Sequence, residues 1–107
     1  MHPSTRFADL AAEAPAPARG IHSQTLSDAD GVTLILFAFA PGEDLTEHTS
    51  ARPAILHLLA GEADLVVGDE AFAGSAGTWV RMPAGMPHAI RARSPLTMAL
   101  YLLPRPS

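Results

Sequence analysis

From Ile21 onward, apolar residues come either in alternation or in short unbroken runs, and a Gly, a Pro or an acidic turn ends nearly every run. The stretch 21–26, IHSQTL, alternates and predicts an edge or half-buried strand. Asp28-Ala29-Asp30-Gly31 reads as a turn. VTLILFAFA, residues 32–40, then runs without a polar break until Pro41-Gly42. A second continuous run, AILHLLA, fills 54–60. Gly61-Glu62 bends the chain before ADLVV at 63–67, and Gly68-Asp69 makes a tight hairpin with 70–73 returning. Residues 73–77 form a loop, 78–82 a strand, Pro83-Ala84-Gly85 a turn, and 88–92 a strand. A last apolar strand, 96–103, stops at Pro104. Eight or nine short strands with this punctuation predict an all-β, antiparallel sandwich or barrel, with no helix in its body.

Two runs, 32–40 and 54–60, are apolar on both faces and need two covers. One face lines the interior. The other requires a second sheet or a second subunit, so a homodimer packed through these strands is expected. Ahead of them, residues 1–19 form an N-terminal arm and 20–104 the domain proper. Ser4 or Thr5 caps a predicted short helix through Phe7, Leu10 and Ala11, and the APAPARG tract at 14–20 continues as an extended connector.

The 107 residues suffice for one core. No apolar run reaches membrane-spanning length. With no Cys, disulfides and thiolate ligands are excluded. The net charge of −4, the absence of Lys and seven scattered Arg describe a surface that repels nucleic acid and anionic lipid. MHPSTRF lacks the charged start and apolar stretch of a secretory signal, so a cytoplasmic location is expected.

The candidate chemistry lies in GTWVRMPAGMPHAIRA, residues 77–92. The spacing is Gly77, five residues, Pro83, one residue, Gly85, two residues, His88, and it resembles the second signature of the cupin superfamily. Ala92 stands where that pattern usually ends in Asn. Upstream, Gly42, five residues, His48 and a closing Gly61 resemble the first signature. Ser50 stands there in place of its second His and Ala54 in place of its Glu. The resemblance, to the small single-domain (RmlC-like) cupins, spans roughly residues 20–103. It implies a double-stranded β-helix (jelly-roll) barrel, often dimeric, with a pocket between two sheets. His48 and His88 match the positions that bind metal in metal-dependent cupins. The resemblance therefore implies a divalent transition metal (Fe, Ni, Zn, Mn or Cu), weakly bound, because a catalytic centre usually has three protein ligands and an open position. The other reading keeps both imidazoles as polar groups of a small-molecule pocket with His48, Ser50, Leu56, Leu58, Met86 and His88.

Strand alternation puts Leu56 and Leu58 on the face of Ala54, while Ile55, His57 and Leu59 point the other way. His57 thus reads as an interface residue rather than a third ligand, unless a bulge reverses it. Glu47 points away from His48, and Glu43 and Asp44 lie in a loop from which they can swing in or stay solvated. His22 and His2 carry no spacing signal. Trp79 and Arg81 share a strand face, either clamping a carboxylate or forming a core Trp with a surface Arg along it. Ser50 and Ser75 lack the setting of a nucleophile, and no Gly-rich phosphate cradle opens a helix. Three functions remain: a small-molecule-binding protein without stable metal, a metal-dependent enzyme of the dioxygenase or isomerase kind with an incomplete ligand set, and a structural or regulatory dimer.

Overall fold

A computed structural model describes residues 4–105. A single turn of 3-10 helix, Leu10–Glu13, precedes nine strands: β1 (Ile21–Ala29), β2 (Val32–Phe39), β3 (Asp44–His48), β4 (Ala54–Ala60), β5 (Glu62–Val67), β6 (Glu70–Ser75), β7 (Trp79–Met82), β8 (His88–Ala92) and β9 (Leu96–Leu102). They form two antiparallel sheets, one ordered β1-β2-β9-β4-β7 and the other β3-β8-β5-β6. The strands expected from the apolar runs are present, with ends shifted by at most three residues. The first turn is tighter than expected. β1 continues through Ala29, and only Asp30 (φ 55°) and Gly31 (φ 79°) turn the chain. Two consecutive left-handed residues give the hairpin the twist its strands need.

The inner faces meet over Phe39, Leu56, Leu58, Leu65, Met82, Ile90, Leu96 and Met98, all essentially without exposure. The alternation assigned to β4 holds: Ala54, Leu56 and Leu58 belong to this core. The outer face of the five-stranded sheet carries a second apolar cluster of Leu34, Leu36, Ala38 and Ala99. Its cover is the chain's own arm. Ala14 is buried in the cluster, and Phe7 and Leu10 pack against it together with Leu26, Leu59 and Tyr101. The Thr97 hydroxyl donates to the Ala14 carbonyl (3.5 Å) and the Ala40 amide to the Gly20 carbonyl (3.0 Å), which fastens both ends of the connector.

One expectation is thereby corrected. The helix through Phe7, Leu10 and Ala11 is only the 3-10 turn, with Asp9 at its start making no side-chain cap. Pro15 and Pro17 stop any continuation. The arm also covers part of the second apolar face, for which the pattern called for a second sheet or a second subunit.

Candidate functional site

β3 reaches its place at the edge of the four-stranded sheet through a backbone zipper. The Gly42 amide donates to the Ala92 carbonyl (2.8 Å) and the Ala92 amide to the Glu43 carbonyl (2.9 Å). Leu45 pairs with Ile90, the register then shifts, and His48 pairs with His88. Between these pairs Thr46 and Glu47 on β3 oppose Ala89 alone on β8, so β3 carries one extra residue. Without it, alternation would send Leu45 and His48 to opposite faces. The bulge brings both to the inner face. His48 and His88 are side-by-side neighbours in one sheet, ring centroids 4.1 Å apart at 62°.

Each ring is oriented in the same way. His48 Nδ1 lies 3.0 Å from the Thr46 carbonyl and His88 Nδ1 3.1 Å from the Met86 carbonyl. A carbonyl only accepts, so Nδ1 carries the proton, and in the neutral ring Nε2 keeps its lone pair. Two Nε2 acceptors therefore sit together. His88 is 3% exposed. Burial pushes its pKa below the ordinary 6.5, opposed by the Met86 carbonyl and reinforced by the neighbouring His48.

Of the other residues singled out, Ser50 lies in the loop after β3. Its hydroxyl accepts from the Arg52 amide (3.1 Å), and its carbonyl accepts from the Gly85 amide (2.8 Å), tying this loop to the turn before His88. Leu56 and Leu58 have no exposure and belong to the core. Met86 is half-buried against that core. His57 is on the other face, paired with Trp79 and Ala99. Glu43 accepts from the Gly20 amide (3.3 Å), Asp44 pairs with Arg91 (3.4 Å), and Glu47 is exposed. His22 is exposed on β1, and His2 lies outside the described residues. Trp79 is 56% exposed, which rules out the core-Trp alternative.

Among the described residues, no group of three or more His, Cys, Asp or Glu side chains is placed to hold a metal ion. Two imidazoles do not make the three-ligand set of a catalytic centre.

Arg52 was missed. Its guanidinium donates to the Leu103 carbonyl (2.9 Å), the Thr33 hydroxyl (3.0 Å), the Gly31 carbonyl (2.7 Å) and the Leu102 carbonyl (3.0 Å). It anchors the loop that carries Ser50 to the far end of the five-stranded sheet. No motif marks it, although an Arg directly before Pro53 and a strand was visible.

A family model for the cupin domain matches residues 35–103. A search of curated proteins gives no match. Among solved structures, a cupin superfamily protein from Desulfitobacterium hafniense is 27% identical with a TM-score of 0.83, over 95% of this chain and 94% of that one. A conserved protein of unknown function from Streptococcus pyogenes has the same TM-score at 24% identity, over 99% and 93%. An RmlC-like cupin from Shewanella frigidimarina has a TM-score of 0.78 at 14% identity, over 96% and 92%. The last two resemble this chain in fold alone.

Proposed function

The chain belongs to the cupin family, and on that footing we propose that it binds a small molecule through His48 and His88 without a resident metal. The observation that carries this reading is the paired orientation of the rings. Both Nδ1 atoms are committed to backbone carbonyls, which leaves two adjacent Nε2 acceptors. Such a pair suits a ligand that presents hydroxyl or ammonium donors. Ser50 and Met86 flank the pair through the loop and the turn that carry them, and Leu56 and Leu58 supply the apolar backing. The family otherwise implies a divalent metal. Among the described residues His48 and His88 would be its only protein ligands, an incomplete set, and no reaction step is routed through it.

A thermal-shift screen of small polyols, hydroxy acids and amines, run in chelator, tests the reading. Compounds that stabilise the protein should lose that effect in His48→Gln and in His88→Gln. Stabilisation that survives both substitutions would place the ligand elsewhere.

We further propose that residues 1–19 act as an integral arm of the domain 20–104, and that the chain forms a homodimer. The strip of the outer face available to a second copy is narrower than the apolar pattern suggested. It runs through Ile55, His57 and Tyr101, each half-buried, beside the cluster covered by the arm.

A further inference from the structure

We propose that the homodimer forms edge to edge: the free margin of β1 pairs antiparallel with β1 of a second copy and joins the two five-stranded sheets into one. This surface belongs to the homodimer proposed above and stands only if that dimer exists. β1 ends the five-stranded sheet and, among the described residues, pairs with β2 alone. At nine residues it is the longest of the strands described. The Ala40 amide donates to the Gly20 carbonyl (3.0 Å), which sets the phase of the β1–β2 ladder. Gly20, His22 and Gln24 therefore exchange hydrogen bonds with Ala40, Ala38 and Leu36, while Ile21, Ser23 and Thr25 turn their N–H and C=O groups to the open side. Among the described residues none of these outward groups has a backbone partner.

An open strand edge is a template for further pairing unless charge, proline or short length blunts it. The other three edges are blunted. β3 carries Asp44 and Glu47, β6 carries Glu70, and β7 is four residues long with Arg81 among them. β1 has no Asp, Glu, Lys, Arg or Pro from Ile21 through Ser27. Its bulge falls at Leu26, where the register shifts between Thr25 and Ser27, so residues 21–25 stay regular. The arm lies over the outer face, with Ala14 in the cluster on β2, and a gap lined by Glu13, Ala14, Pro15, His22, Ser23 and Gln24 lies between arm and strand.

The strand is complementary to itself about a two-fold axis through Ser23. There Ser23 faces the partner's Ser23, Ile21 the partner's Thr25 and Thr25 the partner's Ile21, all at hydrogen-bonded positions. Each outward residue of each copy gives one donor and one acceptor, so every outward group finds a partner. Between these pairs His22 stands beside the partner's Gln24, at the closely spaced positions where a carboxamide reaches an imidazole nitrogen. No like charges oppose each other. A second β1 of this chain therefore meets backbone, side chains and charge at once. His48 and His88 take no part, so the surface stands or falls apart from the reading of that pair.

Sedimentation at micromolar concentrations and disulfide cross-linking test this, since the chain has no Cys of its own. Ser23→Pro removes the central amide donor without touching the β1–β2 ladder, and should convert dimer to monomer with an unchanged far-ultraviolet spectrum. Ile55→Glu, on the outer face of β4, should leave the dimer intact. Ser23→Cys places the two Cα atoms roughly 5.5 Å apart across the axis, within disulfide range. It should oxidise to a covalent dimer about tenfold or more faster than Thr25→Cys, whose two copies lie roughly 14 Å apart along the strands. Should Ser23→Pro fail to fold, the cysteine comparison decides. A dimer that survives Ser23→Pro and dissociates in Ile55→Glu would keep the homodimer and overturn this surface. Equal cross-linking at both positions would overturn it too, and wild-type protein that stays monomeric would overturn surface and dimer together.

Discussion

Replacing Arg52 by Ala should cost more than any other substitution of a surface charge in this protein. The side chain makes four hydrogen bonds, three of them part-buried and the fourth, to the Gly31 carbonyl, exposed. A hydrogen bond from a charged donor contributes about 1.5–3 kcal/mol when well buried, and less where water competes. Counting about 1 kcal/mol for each part-buried bond, and allowing for side-chain freedom regained, the loss is about 2–3 kcal/mol. A domain of this size loses roughly 0.2 kcal/mol per degree near its midpoint, so Tm should fall by about 10 °C. Arg52→Lys retains the charge but not the planar fork, and should recover no more than about half of the loss. Differential scanning calorimetry at neutral pH and moderate salt measures both variants. A fall of less than about 2 °C for Arg52→Ala, with a native spectrum, would refute the reasoning. It would mean that the loop carrying Ser50 is held without the guanidinium.

Three further outcomes follow. The unfolded chain binds a proton at His88 more readily than the folded one, because the folded pKa is lowered. Stability should therefore be full above about pH 6.5 and decline as pH falls below it, with a shallower decline in His88→Gln, measured by urea unfolding across that range. Gly61→Ala should destabilise by several kcal/mol. Gly61 has φ +92°, and a Cβ there runs into the Pro95 carbonyl oxygen, which belongs to backbone and cannot swing aside. A loss under 1 kcal/mol by chemical denaturation would contradict this. If two copies meet on the uncovered strip, Ile55→Glu should shift sedimentation from dimer to monomer. Leu59→Glu should instead lower Tm, since Leu59 packs in the cluster under the arm.

The sheets were legible because Gly and Pro stand at the corners and the central strands are rich in apolar residues. β3 was not recognised as a strand, because DLTEH offers one aliphatic residue among polar ones, as suits an edge. The position of His48 was readable from its spacing after Gly42. Its neighbour was not, since the pairing with His88 depends on a bulge, and register between strands some forty residues apart leaves no local trace. Apolar faces on β2 and β4 revealed that a cover must exist, but a pattern does not say whose. Phe7, Leu10 and Ala14 proved to supply much of it from within the chain.

The central claim is that the imidazole pair serves a ligand rather than a resident metal. Elemental analysis of protein purified without a His-tag, before and after a mild chelator, tests it most directly. Well below one equivalent of any transition metal is expected, removed by the chelator with Tm unchanged. Tight, stoichiometric metal that disappears in His48→Ala would contradict the claim.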